Sequence, residues 1–292
     1  MKTYLECIPC FFRQALEISK ILKVSKNKQK KIFNEIAKAV IKFSLNNPPP
    51  LMGKTIHNIV KKITKEEDPY SQIKRKSNHL ALKIYPYLKK KVYYSSDRLQ
   101  KAVELAIAGN IIDYGVGSDF GKESMEDIKK QISLNGINSK FFKYKEFKKA
   151  LRKANSILYL ADNAGEVVFD KVLIEEIKSL YPDKKITYAV RGKPIINDAL
   201  ISDAYFCGID KVAQVISSGC DTPGTVLSLC SQDFLKVYKK ADMIISKGQG
   251  NFEALWRKRD CIFFLFMAKC PVVAKEVGSR VGEKILLFNA GS

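Results

Sequence analysis

The chain has 292 residues, 46% of them hydrophobic and 28% charged, with 51 Lys+Arg against 30 Asp+Glu for a formal net charge of +21. That apolar content can build a sizeable core and argues against wholesale disorder, while the longest uninterrupted apolar stretch, Cys261 to Ala268, is far too short to cross a bilayer. The residues after Met1 show no apolar signal region, and seven cysteines, an odd number, do not read as a disulfide framework, so a soluble, cytoplasmic, reduced protein is expected.

The charge is unevenly spread. Residues 1–98 hold 22 Lys+Arg and 7 Asp+Glu, whereas residues 99–292 hold 29 and 23. A basic front half can steer nucleic acid or small anions by long-range attraction. Nearly all of it is Lys, however, with little of the Arg or aromatic interleaving that base and phosphate readers use. A solvated lysine-rich face is therefore expected, and a nucleic-acid partner is disfavoured.

Apolar residues at helical spacing predict helices over Ile8–Leu22 and Ile32–Leu45. Asn46-Asn47-Pro48-Pro49-Pro50 then breaks the chain, and helical patterns resume over Met52–Ile63, Asp68–Leu88 and Arg98–Asn110. Two more helices are expected over Asp119–Asn138 and Phe147–Lys153. The division that follows is a helical subdomain over 1–97 and an α/β core over 98–292, of which 98–154 is a helical lead-in.

From Ser156 the texture changes. Continuous apolar runs at Ile157–Ala161, Ile186–Val190, Val212–Ile216, Met243–Ile245 and Ile262–Met267 alternate with helical patterns, and Ile285–Phe288 adds a sixth at the edge. Such runs predict a Rossmann-like parallel-sheet core with helices on both faces.

In open α/β sheets the ligand sits at the carboxyl ends of the strands, and here those ends carry unusual clusters. They are Asp162-Asn163, Asn197-Asp198, Ser217-Ser218-Gly219-Cys220-Asp221-Thr222, Lys247-Gly248-Gln249-Gly250-Asn251 and Lys269. Singly each is weak, because Asp162-Asn163 and Asn197-Asp198 are also ordinary helix caps and Gly248-Gln249-Gly250 is also an ordinary tight turn. Together, two carboxylates and an amide oxygen are hard ligands suited to Mg²⁺ or Mn²⁺. Backbone N–H groups around Ser218, Gly219 and Gly248, with a helix expected from Pro223-Gly224-Thr225, would cradle a phosphate, and Lys269 would balance charge on its oxygens.

No Walker motif and no G-x-G-x-x-G fingerprint is present, which disfavours a nucleoside triphosphatase or an ordinary dinucleotide site. The two histidines, His57 and His79, lie in the helical front half, which disfavours a serine–histidine hydrolase. Cys7-Ile8-Pro9-Cys10 stays open between two readings. One is a metal or redox pair at a helix start. The other is two small residues packed one turn apart, since a single C-x-x-C is half a zinc site.

The blocks Ala108-Gly109-Asn110-Ile111-Ile112-Asp113, Asp162-Asn163-Ala164-Gly165-Glu166, Arg191-Gly192-Lys193-Pro194 with Asn197-Asp198, and Lys247-Gly248-Gln249-Gly250-Asn251-Phe252-Glu253 resemble, in order, those of the metal-dependent damage-control phosphatases. The N-terminal C-x-x-C is similar to that of the prokaryotic-type branch. The resemblance spans essentially the whole chain. It implies a helical part packed on a Rossmann-like core, a divalent metal held by Asp162, Asn163 and Asp198, and a functional lysine at Lys269. It further implies hydrolysis of phosphate monoesters, among them sugar phosphates, phosphopantetheine derivatives and damaged nucleotides, with Mn²⁺, Ni²⁺, Co²⁺ or Mg²⁺.

The expectation is thus a phosphatase in which Asp162 and Lys269 are catalytic, with Ser218, Gly219, Gly248, Asn251, Asn110 and Asp113 as substrate or phosphate contacts. Attack by Asp162 itself and attack by water both stay open, as does oligomeric state. The rivals are an S-adenosylmethionine-dependent carboxyl methyltransferase, for which the loop after the first strand is a poor fit, and a basic nucleic-acid-binding protein.

Overall fold

The computed structural model describes residues 1–109, 129–130, 132, 139–258 and 261–289. Three front helices, α1 (Ile8–Ile21), α2 (Lys26–Lys42) and α3 (Pro49–Thr64), share a core of their own around Phe11, Ile18, Ile36, Ile56 and Tyr70. The Ser25 side chain accepts from Lys28 N to start α2. The proline run that ends one helical segment also begins the next, with Pro49 at the first position of α3, where the missing N–H costs nothing.

Helices α4 (Ser71–Tyr93) and α5 (Arg98–Ala108) carry their apolar faces elsewhere, onto the α/β body. They are followed by α6 (Tyr144–Lys153), β1 (Ser156–Leu160), α7 (Glu166–Leu180), β2 (Lys185–Val190) and α8 (Ile201–Phe206). The chain continues through β3 (Gln214–Ser217), α9 (Gln232–Lys240), β4 (Met243–Lys247), α10 (Gln249–Leu255), β5 (Ile262–Met267), α11 (Pro271–Val277) and β6 (Lys284–Asn289).

The strands form one sheet in the order β3-β2-β1-β4-β5-β6. All neighbours are parallel except β6, which runs antiparallel to β5. Alternate residues feed two cores. Ile157, Tyr159, Ile245, Phe263 and Leu265 face α4, α5 and α7, while Leu158, Leu160, Ile244, Phe264 and Phe266 face α9, α10 and α11. Both faces are covered, which is why the strands read as unbroken apolar runs rather than alternating ones. The chain runs from β1 outward through β2 and β3 and then returns to place β4 on the other side of β1, so the carboxyl ends of β1 and β4 flank the switch point where such folds bind ligands.

Three expectations are corrected. The third strand begins at Gln214 rather than Val212, because Val212 and Ala213 both donate their N–H to Ile209 O and close a turn first. No helix starts at Pro223. Gly224 has φ +132°, outside the helical region, Thr225 N is given to Asn251 Oδ1, and only a short 3-10 turn follows at Leu227–Leu229. The sixth strand lies at the edge, as expected, but runs antiparallel to β5 and not parallel to it. The helix expected over Asp119–Asn138 falls largely outside the described residues, as do Asn110 and Asp113. Among the described residues no helix is long and apolar enough to cross a membrane.

Ile56 has no exposed surface and lies in the core of α1–α3. Ile56→Ala should cost about 2–5 kcal/mol of stability, read as a lowered denaturant midpoint with unchanged slope.

Candidate active site

Backbone bonds between the loops after β1 and β2 build the site. Ala164 N donates to Asn197 O and Ala199 N donates to Asp162 O, at 2.9 and 2.8 Å, with an antiparallel bridge between Asn163 and Asp198. This stitch puts Asp162, Asn163 and Asp198 together at the carboxyl ends of adjacent strands, all nearly buried. None of the three caps a helix. The N-cap of α7 is Gly165 and that of α8 is Leu200, whose N–H is taken by Asp203.

The two acids differ in company. Asp198 accepts from Arg191 Nε at 2.6 Å. Asp162 accepts from Asn163 Nδ2 at 3.1 Å and has no cation within ion-pair distance among the described residues. Burial pushes the Asp162 carboxyl well above the usual range, with Glu166 and Asp198 adding to it. Burial likewise raises Asp198, but Arg191 opposes it and holds the group at about 6.

Beneath them lies a network for which residue types alone predict no role. Lys247 Nζ donates to Glu166 and Asp170 at 2.8 Å each, with all three side chains buried. Burial opposes the ammonium, but the two acids outweigh it and hold its pKa above the ordinary value. Asp170 also accepts from Tyr159 and Tyr188 at 2.7 and 2.8 Å. Glu166 accepts from Asn163 Nδ2 at 3.1 Å. Because Asp162 and Glu166 consume the Asn163 donors, its Oδ1 is the end left to face a cation. From α4, Asn78 Oδ1 accepts from Gly165 N at 2.7 Å and pins the turn into α7. The sequence carries one signal for Asp170, an acid four residues after Glu166, and so on the same helical face, among Val167, Val168, Phe169, Val172 and Leu173.

The remaining residues fall into two groups. Asn251 is a brace: its Nδ2 donates to Ala161 O and Lys247 O, and its Oδ1 accepts from Thr225 N, Thr225 Oγ1 and Arg191 Nη2. The amides of Ser218, Gly219, Cys220 and Gly248 already donate to Val190 O, Ser217 Oγ, Ser218 Oγ and Leu265 O. The glycines serve close approach instead. A Cβ on Gly248, at φ +79°, would lie 2.0 Å from Asp162 Oδ2, and one on Gly219, at φ +72°, would lie 2.9 Å from Ser231.

Lys269 follows β5, its N–H bonded to Gln249 Oε1. Its side chain reaches solvent, yet the protein crowds around it and the desolvation lowers its ammonium to about 8. Cys7 and Cys10 sit at the start of α1, where burial pushes both thiols up, Cys10 to about 11.

Among the described residues no three or more His, Cys, Asp and Glu side chains group into a metal site. A cation at the strand ends would therefore be held by a mixed set of two carboxylates and one amide.

A damage-control phosphatase ARMT1-like domain matches residues 3–285. The chain belongs to the damage-control phosphatase family. It is 34% identical to the damage-control phosphatase of Pyrococcus horikoshii over 99% of both chains. It is 36% identical to that of Archaeoglobus fulgidus over 79% of both, and 38% identical to an uncharacterized protein of Methanocaldococcus jannaschii over 97% of this chain and 94% of that one. The crystal structure of a DUF89 family protein from Pyrococcus horikoshii superposes with a TM-score of 0.88 over 99% of each chain, at 34% identity.

Gly248→Ala should fold but displace the Asp162 carboxylate, lowering phosphatase turnover on the order of 100-fold. Steady-state phosphate release beside an unchanged circular dichroism spectrum checks it.

Proposed function

We propose that this family member is a divalent-cation-dependent phosphatase that hydrolyses phosphate monoesters of small cytoplasmic metabolites such as sugar phosphates, damaged nucleotides or phosphopantetheine-type compounds. One observation carries the reading: Asp162 and Asp198 are buried side by side, and Asp162 has no cationic partner at ion-pair distance among the described residues. A buried carboxylate keeps its charge only when it is paired or coordinates a cation, and otherwise takes up a proton. The donor set fits, because two carboxylate groups and the Asn163 Oδ1 are the hard oxygens that Mn²⁺ and Mg²⁺ prefer, with Co²⁺ and Ni²⁺ as alternatives.

A cation held there would polarise the phosphoryl group and lower the pKa of a bound water. The chain's own residues do the rest. Arg191 fixes the Asp198 carboxylate from behind, and Thr225 and Asn251 fix Arg191 in turn. Glu166 and Lys247 hold the Asn163 amide in one orientation. Lys269, at the rim, meets the phosphoryl oxygens and offsets the charge that grows on them.

A methyltransferase reading would require an acidic group free at the end of β2 for a ribose. The residue there is Arg191, fully engaged with Asp198, Thr225 and Asn251.

Phosphate release from a panel of sugar phosphates and nucleotides, with and without Mn²⁺, is the direct test. Asp162→Ala and Asp198→Ala should each lose roughly 100-fold or more of the turnover. Retention of full activity in both would overturn the assignment.

Two pH effects follow. Asp162 and Asp198 have folded pKa values above their unfolded ones, so the stability they contribute is present below the unfolded pKa and is lost as pH rises through the folded value, about 6 for Asp198. The cation-free protein should therefore melt lower at about pH 7.5 than at about pH 5, and Mn²⁺ should raise Tm more at the higher pH. Lys269 loses its proton near 8, so kcat/KM should fall as pH rises through that value, and Lys269→Arg should shift the fall upward, since a guanidinium stays charged.

A further inference from the structure

Cys220 and Cys230 stand at the two ends of the loop that joins β3 to α9. The neck of that loop is closed by Ser231 N donating to Ser218 O at 2.9 Å, and Gly219 packs against Ser231 too tightly for a Cβ. Inside the neck both sulfurs face one carbonyl: Cys220 Sγ lies 3.8 Å and Cys230 Sγ 3.4 Å from Val226 O. Cys220 Sγ lies 2.8 Å from Thr222 Oγ1, whose own proton goes to Gly224 O at 2.6 Å.

We propose that Cys220 and Cys230 form a redox-reactive dithiol that hydrogen peroxide oxidises to a disulfide across the neck of this loop, and that this pair, not Cys7 and Cys10, is where the chain is modified by oxidation.

The chemistry supports the assignment. The neighbouring Cys230 thiol and the Arg191 charge bring the Cys220 thiol down to about 5 against its burial, while Cys230 is raised. A thiolate beside a protonated thiol is the working arrangement of an attacking and a resolving cysteine. Cys7, half-buried, and Cys10, exposed at the start of α1, are both raised instead and stay protonated at neutral pH. Cys220 has no exposed surface and Cys230 is half-buried. The oxidant is accordingly a small one that enters from the Cys230 side.

The Cys220 thiolate attacks one peroxide oxygen. An S–O bond forms, the O–O bond breaks, and hydroxide leaves. Cys230 Sγ then attacks the sulfenic sulfur, so that the S–S bond forms, the S–O bond breaks, and the departing hydroxide takes the Cys230 proton away as water. The two sulfurs together lose two electrons and the peroxide gains them. Closing the disulfide draws Cys220 off Thr222 and Gly224, the turn that carries Thr225 to Arg191 and Asn251. That link to turnover rests on the phosphatase reading above; the disulfide itself does not.

The test treats the full-length protein with hydrogen peroxide, alkylates the remaining thiols, digests it and maps linked peptides by mass spectrometry. A Cys220–Cys230 peptide pair, two hydrogens lighter and separated again by dithiothreitol, is expected. Cys230→Ser should instead carry sulfinic acid at Cys220. A Cys7–Cys10 link with Cys220 and Cys230 still alkylated, or no link at all, would overturn the proposal. Turnover should fall several-fold with the crosslink and return on reduction. A crosslinked enzyme with unchanged turnover would remove the coupling to the site, whereas a reduced enzyme silent on every phosphate ester would count against the phosphatase reading alone.

Discussion

Two carboxylates meet one ammonium under the strand ends, and the rest of the site is arranged around that imbalance. Lys247 reaches Glu166 and Asp170 with all three side chains out of contact with water. Breaking such a cluster leaves an uncompensated buried charge, which costs far more than the pair itself is worth. Its members therefore cannot swing towards a ligand. Glu166 is held still, so it can hold Asn163 still; Asp170 is held still, so two tyrosine hydroxyls from β1 and β2 can converge on it. Arg191 plays the matching part on the other side, with every donor group on its guanidinium already directed at Asp198, Thr225 or Asn251. Asp162, by contrast, has no cation at ion-pair distance among the described residues, and burial raises its carboxyl.

The front helices belong to this arrangement more closely than a separate cover would. Lys54 of α3 pairs with Asp221 in the loop after β3 at 2.7 Å, and the close approach of Gly53 to Pro223 seats the same helix on the same loop. Asn78 of α4 reaches both Gly165 and Asp203. The chain's net charge of +21 thus stands against a centre in which Asp162, Glu166, Asp170 and Asp198 outnumber Lys247 and Arg191.

Most of the fold was legible because parallel strands buried on both faces must be continuously apolar, and Ile157–Leu160, Ile244–Ile245 and Ile262–Met267 leave no other reading. Local chemistry decided where sequence reading failed. Val212 looks like strand until the Ile209 carbonyl captures its N–H, and Pro223-Gly224-Thr225 looks like a helix start until Asn251, 26 residues further on, takes the Thr225 N–H. Of the site, the polar clusters at the strand ends were visible, since their composition is out of place beside apolar runs. What they do to one another was not. Lys247 and Glu166 are separated by 81 residues, and Gly165 and Asn78 by 87, and nothing local distinguishes a buried lysine from a solvated one. The strand-end glycines, likewise, read as phosphate cradles but serve to let Asp162 and Ser231 approach the backbone.

The stitch between Asn163 and Asp198 is made of main-chain bonds, so the separation of the two acids is a property of the peptide framework and not of their side chains. A framework of that kind acts as a ruler with fixed marks. Lengthening either acid by one methylene cannot be absorbed by letting the strands drift apart, because the loops are tied to each other before any ligand arrives. The spacing of the pair is thus set before any ligand arrives, and its tolerance is the stiffness of a parallel sheet.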